Sequence, residues 1–502
     1  MSQQKPLNVI FLTMDEMRGD IPGFMGNPDC KTPNLDRLAE KGVVFTNHFT
    51  VHGKCVPSRI AMQTGRYCHT DGFRTIMEHL PDADPNLLGF LKKQGYESAV
   101  FGHNHVWENL FPGDEKALDK SEGYADYHSF VKPFHDIAKQ SHPVPDPAPN
   151  SPTPVELPDG DQRTPTRIEG QIEGFLDINR ARQAVKYLKE VRDPDRPFYL
   201  HLNLSTPHPG YRVEEPFYSM YDREGIQHYP HDVPENAPLP LAKMREIRTG
   251  NDTDPYVFKE IQSVYYGMCT RVDRDMGILL DAVEEMGLFE NSIVLFTTDH
   301  GDFAGQYGLT EKWDTAMNDC ILHVPFILWA PGLPSGKRVS RLSEHVDIPR
   351  TVLELLGHEP DWGVHGESLL PILRGEKRKE AVFADGGHEE EMWDRFNFHR
   401  GGSGDVAQKR MKNGKQQTYM QCPETMSRTK MVRTEEWKLV VRLEGGNELY
   451  NMQMDPDEMH NLWGQQDHDP KLKEVVMGLQ LKLVEWCLRT DTDRPYQENV
   501  GA

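Results

Sequence analysis

The apolar positions of this chain fall into short unbroken runs, most of them preceded by a stretch with helical spacing. Residues 8–14 (NVIFLTM) form a run of strand length without polar alternation, the pattern of a strand buried on both faces of a parallel sheet. Residues 32–49 predict a helix and a return strand, and residues 87–102 (LLGFLKKQGYESAVFG) an amphipathic helix, a glycine stop and a buried strand. The order repeats in the helical 177–191 and the strand 197–204. It repeats again in the long helical stretch from Tyr265 to Met286, which leads past Gly287 to the strand 292–297. The apolar stretch 325–332, a helix over 347–357 and the stretch 366–373 close the larger domain. Alternating helices and apolar strands predict an α/β fold with a mostly parallel sheet. After residue 430 the pattern changes: KMVRTEEWKLVVRL alternates like a half-exposed strand, a further strand and turn follow, and 470–488 has amphipathic helical spacing.

Two stretches fit neither pattern. Residues 138–170 are rich in proline, aspartate and serine and predict a long surface loop. Residues 385–430 are polar and aperiodic; their Trp393, Arg395 and His399 are candidates for contact with a sugar or aryl group, although a solvated loop is the preferred reading. The expected division is a catalytic α/β domain over 1–384, an insertion or linker over 385–430 and a carboxy-terminal subdomain over 431–502.

The polar residues that close the apolar runs are the first chemical signal. Asp15 and Glu16 follow the first run, His103 and His105 the third, His208 the strand 197–204, and Asp299 and His300 the strand 292–297. In open α/β sheets ligands bind at the carboxyl ends of strands. Singly, each residue is commoner as a structural group than a catalytic one; a site is argued from their convergence.

Composition narrows the class. With 56 Lys and Arg against 78 Asp and Glu, the formal charge of −22 argues against nucleic acid or an anionic membrane as the main partner. An anionic substrate then needs a local positive pocket. The start carries no basic region followed by a long apolar stretch, and no run approaches the length of a membrane span, so a cytoplasmic protein is expected. The seven cysteines are scattered without metal-ligand spacing, which suits reduced thiols.

The densest signal is Cys55 to Arg66, CVPSRIAMQTGR. Cysteine followed at set offsets by Pro57, Ser58, Arg59, Thr64, Gly65 and Arg66 arises by chance about once in 10⁹ starts. This stretch resembles the signature of the type I, formylglycine-dependent sulfatases of the alkaline phosphatase superfamily, and the resemblance runs from Asn8 to about Leu488 outside the two polar stretches. It implies a large mixed, mostly parallel sheet sandwiched by helices, with a smaller carboxy-terminal antiparallel sheet plus helix. It further implies a nucleophile made from Cys55 by a formylglycine-generating maturation enzyme. One divalent metal would be held by Asp15, Asp299, His300, the modified Cys55 and, less closely matched, Glu16. Calcium is expected first, with manganese or magnesium as alternatives. Arg59, His105, His208 and Lys312 match family positions that handle the sulfate ester; His103 stands where sulfatases commonly carry a lysine. The implied activity is hydrolysis of a sulfate monoester, of a sulfated carbohydrate or an aryl alcohol. The missing lysine and His300 are features like the phosphonate monoester hydrolase branch, so a phosphonate monoester or phosphodiester substrate is the alternative. The oligomeric state, a homo-oligomer included, stays open.

Overall fold

The computed structural model describes residues 6–76, 78–81, 84–103, 105–107, 119–120, 127–130, 166–168, 176–388, 418–419 and 421–491. Most of 138–170 and of 385–430, including Trp393, Arg395 and His399, lies outside the described residues.

Fifteen strands are described. In chain order they are β1 (Asn8–Asp15), β2 (Val43–Phe49), β3 (Glu97–Gly102), β4 (Asp119–Lys120), β5 (Tyr127–Phe130), β6 (Thr166–Ile168), β7 (Phe198–Pro207) and β8 (Arg212–Glu214). They continue with β9 (Ser292–Thr298), β10 (His323–Trp329), β11 (Lys337–Glu344), β12 (Val382–Gly386), β13 (Thr429–Arg433), β14 (Trp437–Arg442) and β15 (Glu448–Asn451). The large sheet has the order β11-β2-β10-β9-β1-β7-β3-β5-β4. Its centre is parallel: β1 pairs in parallel with β9 and β7, and β7 with β3. β10 runs antiparallel between β9 and β2.

Side chains of the central strands alternate between two apolar layers, which is why these runs lack polar alternation. Ile10, Leu12 and Met14 of β1 join Leu35 and Leu38 of helix Pro33–Lys41, Ala181 and Ala184 of helix Leu176–Lys186, and Val264 and Val272 of the long helix Pro255–Glu285. Val9 and Phe11 face the other way, onto Val56 and Ile60 of helix Cys55–Thr64, Leu88 and Leu91 of helix Leu87–Lys93, and Ile348 and Val352 of helix Asp347–Leu355. The sheet is thus sandwiched by helices. No helix among the described residues is long and apolar enough to cross a membrane.

A second, four-stranded antiparallel sheet, β12-β13-β14-β15, packs with helix Pro470–Thr490. Two details differ from the sequence pattern. The alternation over 430–442 belongs to a hairpin, because Thr434 Oγ1 accepts from the backbone N–H of Glu436 and Trp437 and turns the chain. The boundary expected at 384/385 falls inside β12, whose residues pair with β13 from Val382↔Arg433 to Gly386↔Thr429.

Candidate active site

The parallel strands β1, β3, β7 and β9 end at one edge of the sheet, and each delivers polar residues there. Asp15 closes β1, and Asp299 and His300 follow β9 beside it, in a register that pairs Met14 with Thr298. His103 follows β3 and His208 follows β7. Cys55 arrives from β2 through the loop 50–54 as the first residue of a ten-residue helix.

All of these groups are buried except His208, which is half-buried. Cys55 Sγ lies 3.2 Å from His300 Nε2 and 3.7 Å from Asp15 Oδ1. His300 Nδ1 is 2.9 Å from the Gly301 carbonyl; donation there leaves Nε2 with its lone pair toward the thiol. Arg59, one helical turn after Cys55, spans both acids: Nε donates to Asp299 Oδ2 at 2.8 Å and Nη2 to Asp15 Oδ2 at 3.2 Å. Its Nη1 donates to Asn203 Oδ1 and the His103 carbonyl. Ser58 of the same helix donates its hydroxyl proton to the Asp299 carbonyl at 2.6 Å. The cysteine motif is therefore bonded to both acid-bearing strands.

On the other side of Asp15, Glu16 has a backbone φ of 75°. This turns its carboxylate to Lys312, whose Nζ is 2.6 Å from Glu16 Oε2 and 2.7 Å from His208 Nε2. His208 Nδ1 donates to the Pro209 carbonyl, so its Nε2 accepts from the ammonium. His103 Nε2 lies 3.1 Å from His105 Nδ1 and 3.5 Å from Asp15 Oδ2.

Burial dominates the electrostatics. It pushes the Cys55 thiol up, reinforced by the Asp15 carboxylate, so the unmodified sulfur is a poor nucleophile. Burial and the Asp299 carboxylate raise Asp15 to about 6 despite Arg59. Asp299, against the same burial, is held below the usual carboxylate range by Arg59. Burial lowers His103, His105 (to about 3) and His208, which keeps these rings neutral. Lys312 is held charged by the carboxylates around it, Glu16 first, against its own desolvation.

A divalent cation fits this chemistry. Asp15, Glu16 and Asp299 are fully buried, and the cations bonded to them are Arg59 and Lys312. Among the described residues Glu16 Oε1 is buried and finds no hydrogen-bond partner. Donor atoms of Asp15, Cys55, Asp299 and His300 lie within 4.8 Å of one another. Glu16 belongs instead to a group with Asp15 and His208.

Residues 7–358 match the family described as Sulfatase. The chain belongs to the sulfatase family. It is similar to the ulvan-active sulfatase of Formosa agariphila, with 25% identity over 95% of this chain and 81% of that protein. It has the same identity and the same two coverages to arylsulfatase K of Bos taurus. In fold it is similar to the phosphonate monoester hydrolase of Agrobacterium radiobacter, with a TM-score of 0.72, 21% identity and 96% of each chain covered. As a sulfatase of the alkaline phosphatase superfamily, the protein is an enzyme, a sulfuric ester hydrolase.

Of the residues singled out from its sequence, the sulfatase brings together Asp15, Glu16, Cys55, Arg59, His103, His105, His208, Asp299, His300 and Lys312, while Trp393, Arg395 and His399 lie outside the described residues. Others were not singled out. Asn203 accepts from both Arg59 and Thr13 Oγ1, and its signal is a polar residue inside the apolar run 197–204. Lys54 pairs with Asp314 at 3.1 Å, tying the residue before Cys55 to the loop that carries Lys312; both side chains are about 2% exposed. No local pattern announces that pair, because its members are far apart in the chain.

Proposed function

We propose that the protein hydrolyses a sulfate monoester of a sulfated carbohydrate or an aryl alcohol, using a formylglycine made from Cys55 and one divalent metal, calcium first. The observation that carries this reading is the Cys55 thiol set within the Asp15–Asp299–His300 donor group, with Arg59 one helical turn away. Cys55 is buried, so the maturation enzyme acts before this core closes.

Asp15, Asp299 and His300, together with the modified Cys55, would hold the metal, which when bound supplies positive charge at the nucleophile and the ester oxygens. Glu16 holds Lys312 in place at the same edge. Arg59 keeps Asp299 ionised, opposes the rise at Asp15, and is itself fixed through Asn203. One hydroxyl of the hydrated Cys55 aldehyde attacks sulfur and the alcohol leaves. Loss of a proton from the second hydroxyl then expels sulfate and restores the aldehyde. His208 accepts from Lys312 at rest, so the proton for the leaving oxygen is held on the ammonium and His208 orients it. Acid assistance of this kind contributes roughly 10²- to 10⁴-fold in rate.

One observation favours a second reading. At the position expected to carry a lysine stands His103, a neutral ring, which suits a phosphonate monoester or phosphodiester hydrolase with the same nucleophile. The test is kcat/KM for an aryl sulfate and an aryl phosphonate monoester, side by side, on metal-loaded enzyme. A preference for sulfate supports the first reading; a preference for phosphonate replaces it with the second.

A further inference from the structure

The helix Pro470–Thr490 carries two apolar faces. Val476, Leu479, Leu483 and Trp486 are buried with Val432, Leu439 and Leu449 of the four-stranded sheet, so the fold itself accounts for that face. Met477, Leu481, Val484 and Leu488 lie outside that contact and are 54–70% exposed. Of the six most exposed large apolar side chains among the described residues, these are four. Single exposed apolar residues are ordinary; four aligned on one helix mark a contact surface. Their steps of four, three and four residues are the a/d repeat by which one helix packs into the holes of another. A helix that lies on a lipid surface is bordered by lysine and arginine. This stripe is bordered by both signs, with Lys473 and Asp491 on one side and Glu474, Glu485 and Arg489 on the other.

We infer that this stripe is a homodimer interface, at which the helix packs antiparallel, across a two-fold axis, on the same helix of a second copy of the chain. With the axis passing between Leu481 and Val484, Leu481 meets Val484 of the second copy and Met477 meets its Leu488, and each contact occurs twice. Lys473 then comes level with Asp491 of the second copy, and Glu474 within one turn of its Arg489. All four of these charged residues are exposed. Both ends of the seam therefore join opposite charges. In the parallel arrangement Glu474 would instead face Glu474 at an a position, where like charges repel. Charge thus selects a second copy as the occupant and sets its direction. The pairing does not depend on the ester-hydrolase reading.

Sedimentation velocity of the full chain across micromolar concentrations is the test, and a monomer–dimer equilibrium is expected. Leu481→Glu places a carboxylate in the middle of the seam and is expected to raise the dissociation constant at least about 10-fold. Glu474→Arg turns two symmetric attractions into repulsions and is expected to raise it about 5-fold. Adding Arg489→Glu to Glu474→Arg is expected to restore the parent value, which no other use of the stripe predicts. All three positions are exposed, so the variants are expected to keep the fold. A monomer at every concentration, whether its stripe binds anionic phospholipid vesicles or stays bare, overturns the inference. So does a dimer indifferent to Leu481→Glu, or a double variant that dimerises no better than Glu474→Arg alone.

Discussion

At the residue scale the site is organised by one guanidinium. Arg59 bonds to Asp299, Asp15, Asn203 and the His103 carbonyl, so it ties four strands, β9, β1, β7 and β3, to the cysteine helix at once. A planar fork does this and a lysine does not. Arg59→Lys preserves the charge while loosening those acids, and displacements of about 1 Å near reacting groups cost about 100-fold in rate. A fall of that order in kcat/KM is expected for the folded variant; a change within about twofold would show that charge alone matters there. Cys55, Arg59 and the acids were legible because each sits in a dense motif or at the end of an apolar run. Asn203 and the Lys54–Asp314 pair were not, since their roles come from long-range contacts that no local spacing encodes.

At the element scale, function follows from parallel strands ending together. β3 shows how tightly this is held: Gly102 has a φ of +95°, and a Cβ built there would lie 1.8 Å from the Asn203 carbonyl oxygen of β7. The same carbonyl accepts from His103 N at 2.9 Å, so the close approach sets where the histidine pair begins. Gly102→Ala is expected to cost about 3 kcal/mol, the upper range for overpacking, read from the urea midpoint. A variant within about 0.5 kcal/mol of the parent would contradict this account of the β3–β7 contact. The central strands and helices were readable because burial on both faces leaves an unbroken apolar run. The carboxy-terminal hairpin was not resolved from a single strand, because alternation continues across the Thr434 turn, which is closed by the Thr434 N–H to the Trp437 carbonyl and by two backbone N–H groups donating to Thr434 Oγ1. β12 escaped notice because five residues, Val382–Gly386, beside a polar stretch carry too little periodicity, and only its pairing with β13 identifies it.

At the scale of the whole molecule, the small sheet steadies the site from outside. Trp313 Nε1 and Thr315 Oγ1 both donate to the Thr425 carbonyl, and Arg442 of β14 donates to the Thr315 carbonyl, so the loop carrying Lys312 is clamped to the four-stranded sheet. Buried Lys438 of β14 adds ion pairs to Asp319, just past that loop, and to Glu458. Breaking such a buried pair typically costs about 3–5 kcal/mol. The molecule carries a formal charge of −22, yet its site gathers Arg59, Lys312 and room for divalent metal at one sheet edge, which gives an anionic ester a local positive target. None of the seven cysteines is paired in a disulfide, and among the described residues Cys55 alone of them joins a group that could hold a metal ion. The most direct test of the central claim is the mass of the Cys55 peptide from protein made alongside a formylglycine-generating enzyme, with hydrazide labelling to detect an aldehyde. The account predicts an aldehyde at Cys55, thiols at the other six, and turnover of an aryl sulfate that disappears with Cys55→Ala. An unmodified Cys55 thiol in protein that still turns over the ester would contradict it.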